Sequence, residues 1–238
     1  MTQLRIKDVD LRIQIHKNKG IVEEATGGKI DLDHWPNFIK SPFLKSMSIQ
    51  TVNSLGPKKT LYEVPCPHTD FPSPPTTDIE FEAFIDRSIK LTEAIMEVHQ
   101  ANCCFGILRN DRILIGPNNE LIILGLALLQ QSYSKSDLTL YQESDFYFLA
   151  PEFSRRSNKL PDKRSDLYGL GSLLHFWLTG SHFIKAIDKQ EVLHKHLTET
   201  YNIDDFEYPW RATGIYNIIK GLVEKNPDER YQSAHGVL

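Results

Sequence analysis

The stretch Ser165–Gly180, SDLYGLGSLLHFWLTG, constrains the fold more than any other part of the chain. Leu167, Tyr168, Leu170, Leu173, Leu174, Phe176, Trp177 and Leu178 leave no polar stripe, and a helix that is apolar all round has to be buried all round. The segment is therefore expected to form a central helix with other elements packed on every side. Ser165 and Asp166 suit its start, where free amides need acceptors, and Gly180 suits its end. A carboxylate beside so much apolar surface needs hydrogen-bond partners, because an unpaired buried carboxylate is very expensive. The expected donors are backbone amides, from its own turn or from a neighbouring loop.

A chain of 238 residues holds one large domain or two small lobes sharing a core. With 40% apolar and 24% charged residues it has the make-up of an ordinary globule rather than a disordered segment. A net charge of −4 supplies no attraction to nucleic acid or to an acidic membrane surface. The longest apolar run, Leu121–Leu129, is well short of the roughly 20 residues a membrane span needs. No secretory leader follows Met1, and the three cysteines, Cys66, Cys103 and Cys104, are too few for a disulfide framework. A reducing cytoplasm is the expected location. A metal site joining Cys66 and His68 to Cys103 and Cys104 fits no familiar ligand spacing, so buried thiols are expected instead.

Along the chain, Leu4–Ile15 reads as a half-buried strand, clearest where Leu11, Ile13 and Ile15 alternate with Arg12 and Gln14. Gly20 and then Thr26-Gly27-Gly28 read as turns. Ser48–Val52 and Thr60–Val64 flank Gly56-Pro57-Lys58-Lys59 as a hairpin, so residues 1–64 form a small, mainly β unit. Pro65, Pro67, Pro72, Pro74 and Pro75 then forbid continuous helix or central strand and mark a boundary over residues 65–77. Thr77-Asp78-Ile79-Glu80 is a capping-box pattern, and Phe81, Phe84, Ile85, Ser88, Thr92, Ile95, Met96 and His99 recur at helical spacing from Asp78 to about His99. Ile113–Ile115 and Leu121–Leu124 read as a second hairpin, residues 130–145 as a loop, and Gln190–Thr198 and Thr213–Glu224 as further helices. Arg230–Ala234 reads as the start of one more.

This order of elements resembles the protein kinase fold: α+β, with a reduced, mainly β N-lobe over 1–64, a hinge over 65–77 and a mostly helical C-lobe over 78–238. Four strings carry the resemblance. Ala150-Pro151-Glu152 looks like the APE motif that closes a kinase activation segment, and Asp166-Leu167-Tyr168-Gly169-Leu170-Gly171 is similar to the start of the kinase central helix. Arg230 stands where the family keeps an arginine that ion-pairs with the APE glutamate, here Glu152, and Leu121–Ala127 keeps the frame of the strand carrying DFG. The chain looks most like the serine/threonine-kinase-like domain at the N-terminus of large hybrid sensor histidine kinases. The resemblance implies that Glu152, Asp166 and Arg230 anchor the fold and that Glu63 falls at the hinge.

The chemistry does not survive the same comparison. Phosphoryl transfer by a kinase is mostly positioning and charge stabilisation, through a glycine-rich loop, a lysine–glutamate pair, a catalytic aspartate and two magnesium ligands. No G-x-G-x-x-G is present, and Lys29 has no glutamate between Glu24 and Glu63 to pair with. The resemblance matches Phe105-Gly106-Ile107 to the HRD triplet, which puts Ile107 at the catalytic base position. It matches Arg109 to the catalytic-loop lysine and Arg112 to the magnesium-holding asparagine, where a cation repels metal. It matches Ile123-Leu124-Gly125 to DFG and Asp145 to the threonine near the end of the activation segment.

The expectation is therefore a pseudokinase with no catalytic residues, no metal site and weak or absent binding of ATP and magnesium. It would act as a regulatory or scaffolding module in signal transduction, linked to a hybrid sensor histidine kinase through a protein partner or further domains of a larger protein. Two alternatives stay open: an atypical serine/threonine kinase using Asp111, Asp145 or Glu63 as displaced carboxylates, and a fragment of a larger signalling protein. His194-Lys195-His196 reads as a solvated helix face, the Ser132, Ser134, Ser136 and Thr139 stretch as a plain loop, and Cys103-Cys104 as packing.

Overall fold

The computed structural model describes the backbone of strands at 2–6, 9–16, 19–26, 48–52, 59–64, 113–115 and 121–123. Side chains are described over 72–110, 143–154, 156–202 and 214–238, and at 113, 115, 121 and 123. The N-terminal strands are β1 (Thr2–Ile6), β2 (Val9–His16), β3 (Lys19–Thr26), β4 (Ser48–Val52) and β5 (Lys59–Val64). They form one antiparallel sheet in the order β1-β2-β3-β5-β4. Two sequence expectations change here. Leu4–Ile15 is not one strand but parts of two, paired so that Leu4 faces Leu11. Gly20 is not a turn residue: it lies in β3 between Ile15 and Val64, because pairing on both sides outweighs its turn preference. The hairpin read from the sequence is present as β4 against β5, with Ile49 opposite Tyr62.

Helix α1 spans Asp78–Gln100. Its capping box forms as the sequence pattern suggests: Glu80 N donates to Thr77 Oγ1 at 3.3 Å, and Thr77 N donates to Glu80 Oε2 at 3.2 Å. Phe84, Leu91, Ala94, Ile95 and Val98 form its buried stripe. Ser88 and Thr92 are buried too, with hydroxyls donating one turn back to Phe84 O and Ser88 O, each at 2.7 Å. Two short strands, β6 (Ile113–Ile115) and β7 (Leu121–Ile123), pair antiparallel with Ile113 opposite Ile123. Short 3-10 segments follow at Glu143–Phe148 and Pro151–Phe153.

Helix α2 spans Lys163–Thr179 and is buried from Ser165 through His175 and again at Trp177 and Leu178. Burying each large apolar side chain contributes about 1.5–3 kcal/mol, which makes this rod the centre of the core. Its start differs from the sequence expectation. Asp162 is the N-cap, accepting from Arg164 N at 2.8 Å, and Ser165 Oγ accepts from Asp162 N at 3.2 Å. Ser165 therefore completes the capping box from inside the helix instead of opening it. The helix stops at Gly180, which takes φ 73, a left-handed conformation most side chains avoid. Pro74 from the proline-rich linker packs on that turn, within 3.0 Å of where a Cβ would stand.

Helices α3 (Lys189–Thr198) and α4 (Ile215–Leu222) complete the described helical part. Gly171 lets α4 approach α2 closely, since a Cβ there would lie 2.7 Å from Leu222 Cβ and Val223 Cγ1. The run Arg230–Ala234 does not open a long helix; Ser233 caps a single 3-10 turn at Ala234–Gly236. Among the described residues no helix is long and apolar enough to cross a membrane.

Candidate functional site

The candidate site is the loop after α1, residues 103–110, where it returns against the first turn of α2. Asn102 reverses the chain with φ 56, and Lys163 Nζ donates to His99 O at 2.5 Å and to Asn102 Oδ1 at 3.2 Å. A cation at the carbonyl end of α1 is favoured by the helix dipole. Asp166 then collects three donors: Phe105 N and His99 Nε2 on Oδ2, and Gly106 N on Oδ1, each at 2.9 Å. A carboxylate only accepts, so His99 carries its proton on Nε2. The donors are the neighbouring loop's amides, one of the two sources the sequence left open, with His99 added to them.

These bonds fix Phe105 and Gly106, and Ile107 follows with only 8% of its surface exposed. Ile107 and its neighbour Leu108 belong to the main core. Isoleucine at the position matched to the catalytic base offers neither a proton acceptor nor a hydrogen bond. Ile123, matched to the first DFG position, is buried in the same core. Arg112 and Leu124 lie outside the described residues. Glu63 sits in β5 opposite Ile21 and Ser48; its side chain is outside the described set, as are Lys29, Asp111, Cys66, His68 and the stretch holding Ser132, Ser134, Ser136 and Thr139.

Two positions flagged separately in the sequence meet in space. Arg109 Nη1 lies 2.5 Å from Asp145 Oδ1, with the side chains 5% and 2% exposed. A buried charge needs a partner of opposite sign, and each supplies it for the other. The loop is thereby tied to the Glu143–Phe148 turn. It is tied to α2 as well, because Trp177 Nε1 donates to Asn110 Oδ1 at 2.8 Å.

Behind the loop lies the second buried pair. Arg230 Nη1 and Nη2 donate to Glu152 Oε1 and Oε2 at 2.8 and 3.0 Å, and Ser165 Oγ donates to Glu152 Oε1 at 3.0 Å. Arg230 also donates from Nε to Glu224 O and from Nη1 to Arg164 O, and its guanidinium stands 5.1 Å from the centre of the Tyr168 ring. Such a bidentate pair, with its remaining donors and acceptors engaged, is the geometry in which a buried ion pair holds.

With this geometry in view, the chain can be set beside known proteins. It is similar to segments of signalling kinases. It is 32% identical over 120 residues to hybrid signal transduction histidine kinase G of Dictyostelium discoideum, a match covering 50% of this chain and 3% of that protein. It is 25% identical over 160 residues to histidine protein kinase 1 of Candida albicans, covering 63% of this chain and 6% of that one. It is 24% identical over 169 residues to serine/threonine-protein kinase PknB of Mycobacterium leprae, covering 70% of this chain and 26% of the relative. The chain thus spans a small part of each relative's length, and the likeness ties it to kinase-related signal transduction. No family model matches it.

The structure also places the His194-Lys195-His196 stretch and the cysteines. His196 is not on a solvated face. It is 1% exposed, receives a hydrogen bond from Tyr168 OH on Nδ1 at 2.7 Å and donates from Nε2 to Phe146 O at 2.8 Å. Burial pushes its pKa down to about 3, so it stays neutral. Lys195 is half-buried, with its ammonium 3.3 Å from Glu191, and His194 is exposed. Cys104 is buried and Cys103 half-buried, with burial raising the Cys103 thiol pKa, which suits packing rather than thiolate chemistry. Among the described residues no group of His, Cys, Asp and Glu could hold a metal ion.

Proposed function

We propose that the chain is a catalytically inactive, kinase-like module of two lobes, over 1–64 and 78–238 with a hinge between, acting in signal transduction by binding. The observation that carries this reading is Ile107: a buried apolar residue at the base position, in a loop whose framework contact to Asp166 is intact. Losing one well-placed electrostatic group costs on the order of 100- to 1000-fold in rate. Here the base and one metal ligand are isoleucines, and the resemblance gives Arg112 at the other metal ligand. The likeness to segments of a hybrid histidine kinase and of a second histidine kinase supports a regulatory or scaffolding role beside the domains of such a protein, a role we place in the cytoplasm. ATP and magnesium have no assigned role.

The reading of an atypical kinase with displaced carboxylates is weakened at Asp145, which is buried against Arg109 and poorly placed to take a metal. Thermal unfolding with ATP, with and without magnesium, tests the proposal. Little or no shift is expected, with or without magnesium; magnesium-dependent stabilisation of several degrees overturns it. So does transfer of labelled phosphate by the purified chain that is lost on Asp145→Asn.

A further inference from the structure

Lys225 follows α4 and carries a feature that neither the fold nor the proposed function uses. Its Nζ is sealed from solvent and has no hydrogen-bond partner among the described residues. It lies 5.9 Å from the centre of the Tyr168 ring and 5.7 Å from that of Phe183. Ring faces attract a cation, but they do not replace acceptors for the three N–H donors of an ammonium. The buried arginines are treated differently, since Arg230 has Glu152 and Arg109 has Asp145.

We propose that Lys225 is a pH-sensitive destabilising charge built into the fold: an ammonium enclosed between two aromatic rings without an acceptor, whose deprotonation strengthens the packing of α2, α3 and the segment after α4. Among the described residues, none of the groups facing Lys225 accepts a hydrogen bond from it. From α2, Tyr168 is neutral, its pKa raised by burial, and its hydroxyl is turned to His196. From α3, His196 is neutral, and Glu199 has its carboxylate 3.7 Å from Lys195 Nζ. Phe183 is apolar, and Arg230 adds a second positive charge that is already matched by Glu152. Burial lowers the Lys225 pKa to about 8, while Glu199 and Glu224 oppose the shift and Arg230 adds to it.

The sign follows from proton counts. Between about pH 8 and the unfolded value of 10.5 the unfolded chain holds a proton on Lys225 that the folded chain has lost, so stability rises with pH across that window. Below pH 8 the ammonium is charged in both states and the penalty is present in full. The test compares wild type with Lys225→Met, which keeps the length and apolar stem, by urea unfolding of the full chain from pH 7 to 10.5. Other groups that titrate in this range affect both proteins alike. Lys225→Met is expected to be the more stable at pH 7. Its advantage in the folding equilibrium should then shrink with rising pH, by as much as about 300-fold over the 2.5 units between the two pKa values. A ratio that stays constant with pH overturns the proposal. If the variant does not fold, titration of the Lys225 side chain followed by NMR at Cε decides: a midpoint near pH 8 supports it, and one above 10 refutes it.

Discussion

Replacing Arg230 by methionine removes a buried cation while keeping most of the apolar stem, and the structure sets the size of the effect. Arg230 and Glu152 are 0% and 1% exposed. Without the guanidinium, Glu152 keeps a single described donor, Ser165 Oγ at 3.0 Å, for a carboxylate that no longer has a counter-charge. Breaking a buried pair from one side costs about 3–5 kcal/mol. The carbonyls of Glu224 and Arg164 lose donors as well, at about 1 kcal/mol each. Against a total stability of about 5–15 kcal/mol, the single variant should be close to unfolding. Urea unfolding of Arg230→Met, Glu152→Met and the double variant closes a cycle. The double variant should be less destabilised than Arg230→Met alone, by about 2 kcal/mol or more, because the orphaned carboxylate is gone. A loss below about 1 kcal/mol for Arg230→Met, the size for an exposed pair, would refute the reasoning.

Gly171→Ala should destabilise by about 1–3 kcal/mol although alanine is the better helix former, because the new Cβ meets Leu222 and Val223 at 2.7 Å; an unchanged or raised urea midpoint would count against that close crossing. Stability should fall as pH drops below 6.5, because burial holds His175 and His196 to about 3 in the fold while the unfolded chain takes up their protons. Melting temperatures measured from pH 7.5 to 4.5 check this, and a flat profile contradicts it. Ile107→Asp should restore no phosphate transfer and should destabilise by about 2–4 kcal/mol, through lost apolar burial and a carboxylate introduced at a position 8% exposed. Labelled-phosphate transfer and urea unfolding are the readouts, and any gain of transfer sinks the prediction.

What was legible in the sequence follows the range of the interactions involved. Helix α2 could be read because an all-round apolar surface has one structural solution, and α1 because Thr77 and Glu80 sit at the spacing that closes a capping box. The start of α2 was misread because Ser165 is both a good cap and a good third-position partner, and only Asp162 accepting from Arg164 N decides between them. Gly20 was misread because strand pairing on both sides is not a local property. His196 was misread for the same reason: its neighbours His194 and Lys195 are polar, while its partners, Tyr168 and Phe146, are 28 and 50 residues away in the chain. The Arg109–Asp145 pair spans 36 residues and no spacing rule points to it. Glu152 and Arg230, 78 residues apart, were paired in advance only through the resemblance to kinases.

The loop over 103–110 is held by contacts that do not involve the side chain at 107. Asp166 holds that loop through the backbone amides of Phe105 and Gly106 and through His99, none of which depends on the side chain at 107. The residue at 107 is therefore free to change without releasing the loop, and an isoleucine there gains by joining the core. The converse does not hold. Losing Asp166 would strand two half-buried amides and the buried His99 together, a cost of up to about 1–3 kcal/mol for each group left unpaired. Mutation at 107 changes packing without releasing the loop, whereas mutation at 166 removes the contacts that hold it. Asp166→Asn should therefore cost more stability than Ile107→Val, and equal urea midpoints for the two variants would contradict that ordering.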